Sequence, residues 1–401
     1  VKRSVYVFLG CVLTAGLSVQ AQDSLDQRAI TVEPQGEIFR YTPVSVKVDG
    51  DASADRVDVI RKETMTEYPA TLRNGELVFV PEGGDASETF TYVVQIDDEG
   101  PAPAVRVEPK ASMKAIDVFV FNKLFTTLHY EDEHKKPFLW PVYSDGQTPV
   151  TRAWPMGERE LTRDHPHHKS MWGAYGDING ADLWGERGTQ EVLNIESSTG
   201  GGYGWIAMDI LWKNRDGDPV MTESREYRFY AMPSAGRYID QKSVYKATHG
   251  EVKIGDTKEG GIVAFRTRDI MTENKGGTIT MTDGRTGHSN VWGKPSAWCD
   301  YSGDLRDEGV HGIAIFDHPD NLRHPTRWHV RDYGLMGPNP FGLSYFTANE
   351  EERLNGDYTI AEGGDLTFNY RVYIHAGDVD DANVGARYTN YATPPKATWA
   401  E

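Results

Sequence analysis

Cysteine is almost absent from this chain: two residues, Cys11 and Cys299, in 401. Cys11 sits in a leader-like segment, so the rest of the chain carries Cys299 alone and no internal disulfide can staple it. Stability must come from a buried core, with or without a bound ion, and the chain is long enough to bury one. Cys299 lacks the surroundings of a catalytic cysteine and reads as a small buried residue. Cationic side chains are also in deficit, with 42 Lys+Arg against 60 Asp+Glu and a formal charge of −18. That balance excludes a broad surface that grips nucleic acid or anionic lipid. Long stretches with apolar residues at i, i+3, i+4 and i+7 are missing, which excludes a helical architecture. Nucleotide motifs are missing too: there is no P-loop and no G-x-G-x-x-G opening a helix. Nor is there a Gly-x-Ser-x-Gly elbow.

The first residues have a pattern of their own. Lys2 and Arg3 precede an apolar run from Val5 to Leu17, and Val19-Gln20-Ala21 offers small residues before Gln22. This layout predicts a signal peptide over 1–21, cut after Ala21, and a secreted or periplasmic protein. The run is too short for a membrane-spanning helix. No later segment is long and apolar enough, so no membrane span is expected in the mature protein.

What the chain has in abundance is alternation. Leu366, Phe368, Tyr370, Val372 and Ile374 point one way; Thr367, Asn369, Arg371 and Tyr373 point the other. That is the period of a half-buried strand. Segments 204–212, 225–231, 238–245, 262–266 and 312–316 read similarly. The 41 Gly and 21 Pro supply the intervening turns. Many short strands with frequent turn signals predict an all-β sandwich or barrel. A Pro-rich, charged stretch at 97–112 suggests a boundary. The expected division is a small Ig-like β-sandwich over 22–105 and a large β-sandwich over 106–401 that carries the site. In the small unit, 72–80 reads as a hairpin turned on Asn74-Gly75, a dipeptide suited to two positive φ angles.

All ten Trp and all twelve His fall in the large unit. The densest run is Asp164-His165-Pro166-His167-His168-Lys169-Ser170-Met171-Trp172, continuing through Gly176-Asp177-Ile178-Asn179-Gly180 to Asp182-Leu183-Trp184-Gly185-Glu186. Pro166 bars a helix interior. An extended chain projects His165 and His167 from one face and His168 from the other. Such imidazoles can bind a substrate, carry its protons, hold a metal or make structural hydrogen bonds. The 176–180 turn lacks the full EF-hand spacing and reads as an Asx turn rather than a calcium loop. A second cluster spans 317–331: Asp317-His318-Pro319-Asp320, Arg323-His324-Pro325 and Trp328-His329-Val330-Arg331. His329 and Arg331 share one face of a strand there. Between the clusters lie Lys258-Glu259, Arg266 and the run Trp292-Gly293-Lys294 to Trp298-Cys299-Asp300. Trp292 and Trp298 can stack on sugar rings or fill a core. Aromatic platforms with carboxylates, Arg and His, and without phosphate loops, favour a carbohydrate ligand over a nucleotide.

Lys136-Pro137-Phe138-Leu139-Trp140-Pro141-Val142-Tyr143, Pro149 to Arg152, the 164–172 run, 176–180 and 315–335 with Asn339-Pro340-Phe341 together resemble one family. It is the PmoA-like family of secreted bacterial proteins, often labelled "methane oxygenase". The resemblance covers roughly residues 115–390. The label implies a membrane copper oxygenase subunit, which a chain without a membrane span after its leader does not fit. The family is also similar to galactose-mutarotase-like super-sandwiches, which implies a fold used by aldose epimerases, polysaccharide lyases and glycoside hydrolases.

The expected function is a carbohydrate-active enzyme that cleaves a glycosidic bond in a poly- or oligosaccharide. Hydrolysis needs two proton-handling carboxyls across the scissile bond, here expected to be Glu259 and Asp300, with Glu186 in reserve. His168 is expected beside them as a catalytic group. His165, His167, Trp172, Arg266, Trp292, Lys294, Trp298, His318, His329 and Arg331 are expected to bind the sugar. A lyase would instead use a His or Tyr base with Arg or a metal stabilising charge, and a sugar epimerase on the same fold is a further alternative. Two rivals remain: a non-catalytic glycan-binding protein, and a metal-dependent enzyme holding Zn or Ca, with His165 and His167 as its first ligands. A carbohydrate is the only partner expected, with no nucleic acid.

Overall fold

A computed structural model describes residues 25–50, 52–96, 102–144, 148–158, 160–232 and 236–400. The expected signal peptide, Cys11 included, lies outside the described residues. The fold is all-β, and no described helix is long and apolar enough to cross a membrane. The longest described α-helix is Val384–Ala392.

Two eight-stranded antiparallel sheets form the large unit. The first, the site sheet, runs in the order Trp328–Val330, Leu335–Pro338, Gly260–Arg266, Met171–Tyr175, Phe138–Val142, Lys123–His129, Ala115–Val120 and Val105–Pro109. The back sheet runs Thr189–Ser198, Tyr203–Lys213, Pro219–Tyr230, Gly236–Lys246, Asp365–Ala376, Val310–Asp317, Trp298–Asp304 and Thr278–Met281. Alternation decides which residues meet between them. Phe368, Tyr370, Val372 and Ile374 from the back sheet enter one core with Leu128, Met171, Ile262 and Phe265 from the site sheet, while Tyr373 faces the other way. Cys299 is fully buried in that core, where burial pushes its thiol well above the usual range. It packs as a small apolar residue.

The back sheet's outer face is covered. Tyr203, Tyr230, Tyr238, Phe316 and Tyr373 pack there with Val78 and Val80 of the N-terminal unit and Val384 and Tyr391 of the C-terminal helix. Thr71 Oγ donates to the Tyr203 carbonyl at 2.9 Å, and Arg73 pairs with Glu226 at 2.8 Å. The outer face of the site sheet carries a separate aromatic layer of Phe138, Trp172, Trp184, Trp140 and Tyr333.

The N-terminal unit is one run of seven antiparallel strands around Ile30, Val32, Phe79 and Tyr92. Asn74 (φ 52°) and Gly75 (φ 69°) turn its hairpin, the two positive angles that the dipeptide predicts. Its last strand comes from the far end of the chain: Lys396–Trp399 pairs with Ala29–Glu33. Trp399 Nε1 donates to the Lys47 carbonyl at 2.7 Å, a side-chain bond that links the two edge strands without a backbone ladder between them. A division that gives everything after 105 to the large unit therefore misplaces 396–399. Four residues with one apolar ring do not reveal which edge they join.

Candidate active-site cleft

Residues 164–170 are a turn, not the extended segment expected. The His168 amide donates to the His165 carbonyl at 2.9 Å, and His165 (φ 42°) and Ser170 (φ 57°) adopt left-handed backbone. The turn brings His165 and His168 onto the same side, with rings stacked at 4.7 Å and 12°. His167 meets His168 edge-on at 4.4 Å. His168 stacks in turn on Trp172 at 5.2 Å, and Tyr333 stacks on His165 at 5.2 Å.

Buried cations hold the turn from below. Arg152 is fully buried; it pairs with Asp164 Oδ1 at 2.5 Å and donates to the Asp164 and His165 carbonyls at 3.0 Å. Arg266, also fully buried, reaches the same Asp164 oxygen at 2.9 Å and lies 4.5 Å over the Tyr333 ring. Burial would raise the Asp164 carboxyl, but the two guanidiniums outweigh it and hold it below the ordinary range. Burial beside Arg152 pushes Arg266 down to about 10. A second anchor lies under His167. Lys136 and Lys169 each place Nζ 2.9 Å from Glu186 Oε1, and Lys136 also donates to the His167 carbonyl at 2.8 Å. Burial pushes Lys136 down to about 8 against the pull of Glu186. The two lysines hold Glu186 below the usual range despite its burial, so it serves as their counter-ion rather than as a reserve acid.

Above these anchors opens a cleft of about 340 Å³ lined by His165, His167, Asp182, Trp184, Thr257 and Glu259, with Gly176 and Gly185. Burial, helped by Lys136, pushes His167 down to about 4. Burial drives His168 well below the histidine range as well. Both rings are neutral near pH 7. His165 places Nδ1 3.3 Å from Asp164 Oδ1. The carboxylate only accepts, so Nδ1 is the ring nitrogen turned toward it as a donor. Glu259 is 42% exposed and pairs with Lys258.

The other expected site residues divide by sheet. Trp172 is fully buried beneath His168 and cannot touch a ligand. His329, 2% exposed, lies 6.2 Å from Trp184, and burial pushes it down to about 3. Arg331 covers Trp292 at 5.2 Å, Trp292 packs on Phe346, and Lys294 pairs with Glu350, so these three form a rim outside the cleft lining. Asp300, Trp298 and His318 sit on the opposite side of the molecule, on or beside the back sheet. Asp300 is fully buried against His375 Nε2 at 2.7 Å and Ser302, so it cannot act across a bond from Glu259. Trp298 joins the packing against the N-terminal unit, and His318 stands edge-on to Tyr391. The chain crosses between sheets after Asp317, which splits the second cluster: its first half belongs behind and Trp328 to Arg331 in front. His165 and His167 acquire no third His, Cys, Asp or Glu within reach of a shared ion among the described residues. The 176–180 turn is closed by Asp177, whose Oδ1 accepts the Gly180 amide at 2.9 Å. Arg152, Asp164, Lys136 and Tyr333 were not expected as site residues. Lys136 and Arg152 fall in segments quoted for the resemblance, and a cation beside large apolar residues is the signal that points to such anchors.

A family model described as a family of unknown function, DUF6807, matches residues 115–389. All the segments quoted above for the cleft fall within that span. No curated protein matches the chain. Among solved structures, an α-mannosidase from Enterococcus faecalis is similar over 96% of this chain and 48% of its own, at 9% identity and TM-score 0.48. A glycosyl hydrolase family 38 protein of the same organism is similar over 94% and 47%, at 9% and 0.44. The chain thus spans about half the length of those two. A galactose 1-epimerase from Lactobacillus acidophilus is similar over 68% of this chain and 97% of its own, at 7% and 0.29. None of these likenesses carries an activity to this chain.

Proposed function

This chain belongs to the DUF6807 family, and we propose that it is a carbohydrate-active protein whose ligand lies in the cleft between His165, His167 and Glu259. The observation that carries this is their convergence. Three proton-handling groups, two from one turn and one from a distant strand edge, line one open cleft with Trp184 as an apolar wall. Imidazoles and a carboxylate suit a hydroxyl-rich ligand, since an imidazole can donate to or accept from a sugar hydroxyl and a carboxylate accepts from one. His165 is the base: Asp164, clamped by Arg152 and Arg266, fixes its tautomer and leaves Nε2 free to take a proton. Glu259 accepts from a neighbouring hydroxyl, and the proton that His165 takes goes back to the sugar from His165 itself. His167 binds a hydroxyl. Such a pair suits proton transfer on a sugar, as in epimerisation or elimination.

Glycoside hydrolysis is the second reading, because Asp182 lines the same cleft and supplies the second carboxylate that Asp300 does not. Export, from the pattern of residues 2–21, belongs to the same proposal and fits an extracellular glycan.

Incubation with oligosaccharide panels in deuterated water, read by mass spectrometry and NMR, separates these. Deuterium on a sugar carbon marks proton transfer, while a new reducing end without it marks hydrolysis. Glu259→Gln and His165→Ala are each expected to lower turnover by about 10²–10⁴-fold. Turnover unchanged in both variants would remove the cleft from the chemistry. Binding without any product would leave a glycan-binding protein.

A further inference from the structure

We propose a divalent transition-metal site, zinc first, formed by His129, Glu131 and His134 outside the cleft. His129 ends the strand Lys123–His129, and Glu131 and His134 lie on the short connection from it to Phe138–Val142. One ligand atom from each falls within 4.8 Å of the others. His129 Nδ1 is 3.4 Å from Glu131 Oε1, and His134 Nε2 is 3.6 Å from Glu131 Oε2. A tetrahedral zinc with bonds of about 2.0–2.1 Å has ligands about 3.3–3.4 Å apart. Each imidazole is therefore near that spacing from one oxygen of the Glu131 carboxylate, His129 from Oε1 and His134 from Oε2, before any ion draws the group in.

Hydrogen bonding gives an independent reason. His129 Nε2 is 3.0 Å from the Trp140 carbonyl. A carbonyl only accepts, so this nitrogen carries the hydrogen, and the lone pair of the neutral ring sits on Nδ1, facing the Glu131 carboxylate. Two acceptors turned on each other call for a proton or a metal ion between them. Glu131 Oε2, on the far side, is buried and makes no hydrogen bond. A buried carboxylate oxygen left in that state is costly, and a metal ion satisfies it together with both imidazoles. The Trp140 carbonyl then plays the outer role usual for a metal-bound histidine, fixing its tautomer and ring plane.

Packing holds the rings ready. His129 stacks on Phe138 at 5.2 Å and His134 meets the same ring edge-on at 5.0 Å. Two imidazoles, one carboxylate and an open fourth position match the donor set zinc prefers, and calcium, which takes oxygen ligands, is disfavoured. Lys169 is the opposing charge, since its Nζ donates to the His134 carbonyl, but Glu186 neutralises it. This site stands apart from the cleft proposal and fails or holds without it.

The test is zinc binding by the full chain, stripped with chelator and titrated calorimetrically. One equivalent is expected, with Co²⁺ in its place giving the visible absorption of a four-coordinate ion. His129→Ala and the near-isosteric Glu131→Gln should each weaken binding by roughly 100-fold or more, since loss of an outer partner alone costs 10–100-fold. Circular dichroism would confirm that both variants are folded. His165→Ala should bind zinc as the wild type does. No stoichiometric zinc in the wild type would overturn the site and leave a proton between His129 and Glu131. Loss of binding in His165→Ala, with Glu131→Gln unaffected, would also overturn it.

Discussion

Glu186→Gln is expected to lower the unfolding free energy by roughly 3–5 kcal/mol, the usual cost of stripping one partner from a buried ion pair. Its carboxylate is 2.9 Å from two ammonium groups whose side chains are only 1% and 7% exposed, Lys136 and Lys169. Glutamine keeps an acceptor there but removes the charge, leaving two buried cations facing each other. Lys136, already pushed down to about 8 by burial, would be driven further toward its neutral form. Urea unfolding of the variant measures the loss. Adding Lys136→Met should recover most of it, because one of the stranded cations is then gone and an apolar chain of similar length fills its place over Trp172. A loss under about 1 kcal/mol would mean that water reaches both lysines. The cleft should feel the same change, since Lys136 also holds the His167 carbonyl.

Acidification is expected to destabilise the protein by an amount on the order of several kcal/mol between pH 6.5 and 4. Burial is the leading cause that lowers His167 to about 4 and His329 to about 3, and it lowers His168 as well. In the unfolded chain these rings take up protons near pH 6.5. Between that value and the folded ones the unfolded state binds more protons, so stability falls as the pH falls and is unaffected by these groups above about pH 7. His167 is only partly buried, so its share is the smaller for contact with water. Asp164 and Glu186, both held below the ordinary carboxyl range, add loss in the same direction at still lower pH. Thermal melts from pH 7.5 to 4.5 would show a falling Tm, and ring ¹⁵N spectra at pH 5 would show neutral His167 and His329. A flat Tm across that window, with protonated rings, would place these histidines in water.

Much of the fold is legible in the residues themselves. Alternation over 366–374 assigns Phe368 and Val372 to one face and Tyr373 to the other, and the sheets use both faces as the pattern requires. Asn74-Gly75 dictates its hairpin. These are local matters, set by a strand's period of two and by which residues tolerate positive φ. The same local logic nominates His165, His167 and Glu259, which meet in one cleft.

It fails where distance along the chain decides. Asp300 and Glu259 read as equivalent carboxylates beside apolar strands, yet they stand on different sheets, and Asp300 is consumed by His375 and Ser302. Asp317 and His329 read as one cluster, yet the chain changes sheet between them. Lys396–Trp399 adds an edge strand beside Ala29–Glu33, from the far end of the chain. His129, Glu131 and His134 sit within six residues, but only the turn after Lys123–His129 faces their donor atoms toward one another. The sequence by itself determined the β class, the faces of the strands and the candidate chemistry. Only the tertiary structure decided which charges became buried counter-ions and which groups met, because strand pairing and desolvation are set by contacts between segments that no local period records.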